Sequence, residues 1–255
     1  DEYYKKEVVN FMALLELKGI NKSFGGIKAV HDCSFGVEEG SITALIGPNG
    51  AGKTTAFNLI SGLLTADSGH MVFENKRIDK LAPHKITRKG LSRTFQISRD
   101  LKEMTVIENL VVHSPTQGFM DLLKSGILKK ELDRAMDLLD FVGITHLANE
   151  KAKSLSYGQK KLMEFAATLM TDPRMILLDE PAGGINPALL ETIMEKIIEI
   201  NKQGVTFLIV EHNMDVVMNY CDPVVVMAYG TVLAEGSPEK VQSDPKVLEA
   251  YLGGS

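Results

Sequence analysis

Nine consecutive residues, Gly47-Pro48-Asn49-Gly50-Ala51-Gly52-Lys53-Thr54-Thr55, have the types and spacing of a phosphate cradle. They fit G-x-x-x-x-G-K-[ST], in which glycines let backbone N–H groups approach phosphate oxygens. The lysine bridges the β- and γ-phosphates, and the hydroxyl that follows it reaches Mg²⁺. Lys53 and Thr54 take those two roles. The apolar run 41–46 leads into Gly47 and 54–64 reads as a helix, so the loop falls between strand and helix, as the chemistry requires. ATP and Mg²⁺ are the expected ligands.

Two carboxylates follow a second apolar run. Asp179 ends the run, where it can orient water in the Mg²⁺ shell, and Glu180 directly after it can polarise the water that attacks a γ-phosphate. His212 comes two residues beyond the apolar run 205–210, at the edge where ligands of parallel sheets bind, so it can contact the same phosphate. Glu211 is a weaker candidate for the base. The other histidines, at 31, 70, 84, 113 and 146, read as structural or exposed. Leu155-Ser156-Tyr157-Gly158-Gln159 opens a predicted helix over 159–170. Ser156 reads either as an ordinary N-cap or as an anion contact at a helix N-terminus.

The elements that must position these residues have an α/β rhythm. Segments 15–21 and 29–37, parted by Gly25-Gly26, suggest antiparallel strands ahead of the phosphate loop, and 71–74 continues that layer. Segment 83–89 suggests a short helix and 91–95 a strand ending at Gln96. From 104 to 170 the apolar period becomes helical, which predicts an α-helical lobe, placed at about 97–170, inserted into the core. The runs 175–178, 205–210 and 224–227 suit strands buried on both faces of a parallel sheet, alternating with helices at Pro187–Lys202 and Met214–Tyr220. The tail from 238 suggests short helices. The expected organisation is a leader or processing remnant over 1–11 and one domain over 12–255, without internal repeats.

The composition sets bounds on the function class. With 255 residues, 44% hydrophobic and 24% charged, the chain can form one well-cored domain. No run is long and apolar enough to span a bilayer, and none resembles a secretory leader, which predicts residence in the cytosol. A net charge of -5 offers no global basic field, so nucleic acid is not expected as a partner. Cys33 and Cys221 lie far apart outside any metal-binding pattern and are assigned no chemistry.

Together these motifs resemble the ATP-binding subunits of ABC transporters, and the likeness spans 14–252. It implies a P-loop ABC ATPase fold: a core parallel sheet, an N-terminal antiparallel β layer and the inserted helical lobe. By resemblance, 47–55 is the Walker A loop, and Gln96 is the Q-loop glutamine, near both catalysis and Mg²⁺. Ser156, Gly158 and Gln159 belong to the signature that contacts nucleotide. Asp179 closes Walker B, Glu180 is the catalytic glutamate, His212 is the switch histidine, and Phe24 matches the aromatic that stacks on adenine. The resemblance also implies a head-to-tail dimer with itself or a homologous ATPase, in which Ser156 of one subunit faces the ATP of the other. Transmembrane permease subunits, indirectly a substrate-binding protein, and a peripheral position on the cytoplasmic side of the membrane are implied as well.

Two departures stand out: Tyr157 at the third signature position, and Ala182-Gly183-Gly184-Ile185-Asn186 where many relatives carry a carboxylate in the dimer-facing loop. The tyrosine, Arg93-Thr94-Phe95-Gln96, 101–110 and Ala250-Tyr251-Leu252-Gly253 together resemble the ATPases of branched-chain amino-acid importers. Urea or amide importers and lipopolysaccharide exporters share much of this vocabulary. A soluble ABC ATPase is the reading from another class; against it stand the single cassette, the lack of a long coiled-coil insertion and the acidic charge.

Overall fold

The computed structural model describes residues 13–94, 101–114 and 129–252. A six-stranded sheet forms the centre, ordered β10 (Thr231–Gly236), β9 (Val224–Ala228), β3 (Ile42–Ile46), β8 (Thr206–Val210), β7 (Met175–Asp179) and β6 (Leu91–Arg93). All neighbours pair in parallel except β10, which runs antiparallel to β9. Every residue of β3, β7, β8 and β9 is buried, as expected of continuous apolar runs covered on both faces. Alternation then divides them. Ala44, Ile176, Ile209 and Val226 face one core, while Leu45, Leu177, Leu208 and Val225 face the other. The sequence signals no strand at β10, because TVLAEG is only half-buried and closes one edge.

A second sheet, ordered β2 (Ile27–Glu38), β1 (Ala13–Phe24), β4 (Ser68–Phe73) and β5 (Lys76–Arg77), is antiparallel throughout. Gly25 and Gly26, both at positive φ, make the turn between its two long strands. Helix α1 (Lys53–Ile60) lies between the sheets and buries Ala56, Phe57, Leu59 and Ile60, each large side chain contributing about 1.5–3 kcal/mol. A short α2 (Pro83–Thr87) precedes β6.

Between β6 and β7 the described residues hold α3 (Val106–Val111), α4 (Lys129–Phe141), single 3₁₀ turns at Thr145–Leu147 and Ala152–Ser154, and α5 (Tyr157–Leu169). Within the described part of 104–170, the helical period is thus carried by α3, α4 and α5. These share a core with α6 (Pro187–Lys202), which turns Ile193, Met194, Ile197 and Ile200 inward along one face. Helices α7 (Met214–Tyr220), α8 (Pro238–Gln242) and α9 (Pro245–Leu252) complete the fold. The mixed parallel and antiparallel α/β architecture matches the expected fold class.

Candidate nucleotide site

Three adjacent strands deliver the candidate residues to one sheet edge. β3, β8 and β7 are consecutive neighbours, and their C-terminal ends lead into Gly47, Glu211-His212 and Glu180. Register keeps them level, since Asp179 pairs with Val210 and the Glu180 N–H donates to the Val210 carbonyl at 2.9 Å.

The phosphate loop depends on glycine at two tight points. At Gly47, φ is +147° and an added Cβ would sit 2.0 Å from the Met227 carbonyl oxygen; at Gly52, φ is +99° and a Cβ would meet the Ala29 carbonyl oxygen at 2.4 Å. The loop therefore packs directly on β2 and β9, with α1 starting at Lys53. Pro48 is half-buried, and Asn49, Gly50 and Thr54 are exposed, so the concave side of the loop is open beside the α1 N-terminus. Ala51 is buried under the loop and Thr55 is half-buried in the first turn. Lys53 is buried, and its ammonium donates to the carbonyls of Gly47 (2.7 Å) and Pro48 (3.0 Å). Burial pushes its pKa below the ordinary lysine value, and the Glu180 carboxylate opposes that shift.

Glu180 Oε1 lies 3.1 Å from His212 Nε2, a contact in which the imidazole donates when Nε2 carries the proton. Glu180 takes a left-handed backbone (φ 49°), a strained state for a glutamate and the kind that clusters at functional sites. Both side chains remain partly exposed and so open to solvent water. Glu211 does not compete for the same role. Its carboxylate is buried and both oxygens accept backbone N–H groups, from Ala182 at 2.7 Å and from His212 and Asn213 at 2.7 and 2.9 Å.

Asp179 is also buried, and Oδ2 accepts from Arg93 Nη2 at 2.8 Å. Arg93 extends on to Asn58 Oδ1 (2.7 Å) and Ser61 Oγ (3.2 Å) in and after α1, and its guanidinium lies 5.4 Å from the centre of the Phe57 ring. Asp179 Oδ1 accepts no protein hydrogen bond among the described residues. One oxygen is therefore available to a hydrated cation, which fits the Mg²⁺ expectation. No cluster of three or more His, Cys, Asp or Glu is present among the described residues, so Asp179 would share the ion with the Thr54 hydroxyl, water and phosphate. Arg93 enters the sequence reading only as part of Arg93-Thr94-Phe95-Gln96; its pairing with Asp179 is not anticipated there, although an arginine in a buried strand is itself a sign of a buried counter-charge.

Ser156 is the N-cap of α5. Its Oγ accepts from Gln159 N at 3.3 Å and Gln159 Oε1 accepts from Ser156 N at 2.8 Å, a complete capping box. Gly158 next to it packs against α6, where an added Cβ would lie 2.4 Å from Leu189 Cδ2 and oblige that side chain to shift. Tyr157, the unusual signature residue, donates its hydroxyl to the Gly183 carbonyl at 3.1 Å. Asn186 caps α6 through Leu189 N at 2.9 Å, a task that an aspartate would perform equally well. Phe24 ends β1 as an exposed ring with the Lys22 ammonium 5.6 Å from its centre. Gln96 lies outside the described residues. Both cysteines are buried and free, with burial pushing each thiol up to about 12.

The sequence profile of the family described as ABC transporter matches residues 30–183. The chain belongs to that family. A second profile, described as branched-chain amino acid ATP-binding cassette transporter, matches residues 231–255. Within this cassette that segment includes Tyr251 on α9, whose phenol is pushed up by burial while the Gly47 backbone N–H pulls the other way. Tyr251 and Ile46, the residue before the phosphate loop, line one apolar pocket.

The cassette is 44% identical over 249 residues to a probable branched-chain amino acid transport ATP-binding protein LivG of Archaeoglobus fulgidus, covering 95% of this chain and 96% of the relative. It is 40% identical to the high-affinity branched-chain amino acid transport ATP-binding protein BraF of Pseudomonas aeruginosa, covering 94% and 98%. Among solved structures, a nucleotide-free ATP-binding cassette from an ABC transporter superposes with a TM-score of 0.85 at 41% identity, covering 94% of this chain and 99% of that one. The ADP conformation of another cassette gives 0.84 at 42% identity, covering 95% and 99%. The cassette is accordingly a nucleotide-binding ATPase subunit.

Proposed function

We propose that the cassette is the ATP-hydrolysing motor of a transporter that imports branched-chain amino acids. The observation that carries the chemistry is the convergence of Lys53, Asp179, Glu180 and His212 on one sheet edge beside the N-terminus of α1. The relatives named for branched-chain amino acid transport support the substrate class.

In this reading the 47–55 backbone and Lys53 bind the triphosphate, and Phe24 offers its ring to adenine. Thr54 and Asp179 would hold Mg²⁺, which neutralises phosphate charge when bound; Gln96 is assigned to the same neighbourhood by resemblance. Glu180 orients water against the γ-phosphorus and accepts its proton as the bond to the β-phosphate oxygen breaks, releasing ADP and phosphate. His212 holds Glu180 and contacts the γ-phosphate. Ser156 and Gly158 act in trans, in a head-to-tail dimer with a second copy or a homologous cassette, while Gln159 keeps the signature helix capped. Among the described residues no helix is long and apolar enough to cross a membrane; in this reading the motor acts through separate permease subunits, peripherally on the cytoplasmic face. A substrate-binding protein would serve those subunits from the other side.

The test is deletion of the gene in its host, followed by uptake of labelled leucine with wild type or Glu180→Gln restored. Urea uptake and envelope permeability are followed in parallel. Leucine uptake lost on deletion and recovered only with wild type supports the reading; a defect confined to urea or to the envelope overturns the substrate class. The purified Glu180→Gln protein should bind ATP yet lose about 10²–10⁴ in turnover, the usual worth of a positioned base. Near-normal turnover would remove Glu180 from that role.

A further inference from the structure

The segment 180–186, which joins Glu180 to α6, is gripped from two sides by side chains of the same chain. On one side, Tyr157 Oη donates to the Gly183 carbonyl at 3.1 Å and Lys161 Nζ to the Glu180 carbonyl at 3.3 Å, both from α5. On the other side stands Glu211, only 3% exposed. Its Oε1 accepts from Ala182 N, two residues past Glu180, while Oε2 accepts from His212 N and Asn213 N. Among the described residues no cation pairs with Glu211, so the buried charge is balanced by three backbone N–H dipoles on two loops.

Glu180 needs restraint of this kind. Its left-handed backbone persists only where the surroundings over-determine it, and among the described residues its N–H is tied by a single bond, to the Val210 carbonyl. Glu211 adds the second tie between the same two strand ends. Because one oxygen holds the Glu180 loop and the other holds the His212 loop, the single carboxylate sets their separation. A carboxylate suits the position better than an amide, whose NH₂ would face one of the N–H donors.

We propose that Glu211 is a positioning residue for hydrolysis, fastening the loops after β7 and β8 so that Glu180 Oε1 and His212 Nε2 stand 3.1 Å apart and move as one unit. This rests on the reading of Glu180 and His212 as the hydrolytic pair. Single-turnover and steady-state ATPase rates of the full chain are measured for Glu211→Gln, His212→Ala and the double variant, with Glu180→Gln alongside. Backbone amide shifts of Ala182, His212 and Asn213 are followed by NMR.

Glu211→Gln should lower kcat by at least about tenfold with KM for ATP held within about twofold, and should cost less than about twofold when His212 is already alanine. The three amide resonances should move upfield as their charged acceptor is lost. A loss expressed in KM, an equal factor in both backgrounds, or unmoved amides would overturn the proposal. Should Glu211→Gln not fold, Glu211→Asp, which keeps the charge but cannot reach both loops, is put through the same cycle and must show the same pattern. Normal turnover in Glu211→Gln beside an inactive Glu180→Gln defeats this proposal alone; normal turnover in Glu180→Gln defeats the reading beneath it.

Discussion

Replacing Arg93 by methionine should destabilise the fold far more than the loss of one surface ion pair. The Arg93 and Asp179 side chains are 9% and 2% exposed, so removal of the cation leaves a carboxylate with little access to bulk water. Breaking such a buried pair costs about 3–5 kcal/mol, whereas an exposed pair contributes about 0–1 kcal/mol. Methionine preserves most of the packing on Phe57 and also removes Arg93 Nε, the one buried side-chain N or O without a hydrogen bond among the described residues. Packing therefore does not add greatly to the loss. Against a total stability of about 5–15 kcal/mol, the substitution should lower Tm by about 6–20 °C. The chain has no tryptophan, so urea unfolding is best followed by far-UV circular dichroism. The decisive arm is the double variant Arg93→Met with Asp179→Asn. If the stranded charge is the cause, removing it should recover at least about half of the loss. A single-variant cost below about 1 kcal/mol, or a double variant less stable than the single, would refute the argument.

Gly47→Ala should cost about 2–6 kcal/mol in urea unfolding, from the left-handed φ together with a Cβ 2.0 Å from a backbone oxygen; a cost under about 1 kcal/mol would mean that the loop yields easily. The burial that lowers the Lys53 pKa gives a pH signature. Between the lowered folded value and the unfolded value of about 10.4, the unfolded chain binds more protons than the folded one. The stability of wild type should therefore rise relative to Lys53→Met as pH climbs through that window, and a gap that stays flat from pH 7 to about 10 would contradict it. Ser156→Arg should leave ATP binding by the isolated subunit unchanged while abolishing ATP-driven dimerisation in size-exclusion chromatography; loss of binding by the monomer would contradict a role in trans.

The residues proposed to meet the phosphates could be read directly from the chain, for a physical reason. A phosphate loop is a local structure, nine contiguous residues whose spacing already encodes the positive-φ glycines, the lysine and the hydroxyl. The strands were equally legible, because burial on both faces leaves continuous apolar runs at Met175–Asp179, Thr206–Val210 and Val224–Ala228. Glu180 and His212 could be named from their positions after such runs, but the 3.1 Å contact between them depends on β7 and β8 being neighbours, a fact of strand order. The same holds for Arg93, 86 positions from its partner Asp179, and for Glu211, 29 positions from the N–H of Ala182. In sequence Glu211 is a carboxylate beside a histidine and a plausible base. Only folding shows both of its oxygens held by backbone. Tyr157 reads as a departure from a signature until the approach of α5 to 180–186 gives its hydroxyl the carbonyl of Gly183. The amino-acid types determined which groups could do chemistry; the tertiary contacts separated a half-exposed Glu180 from a buried Glu211 whose two oxygens are both taken by backbone N–H groups, because a buried acceptor must be satisfied.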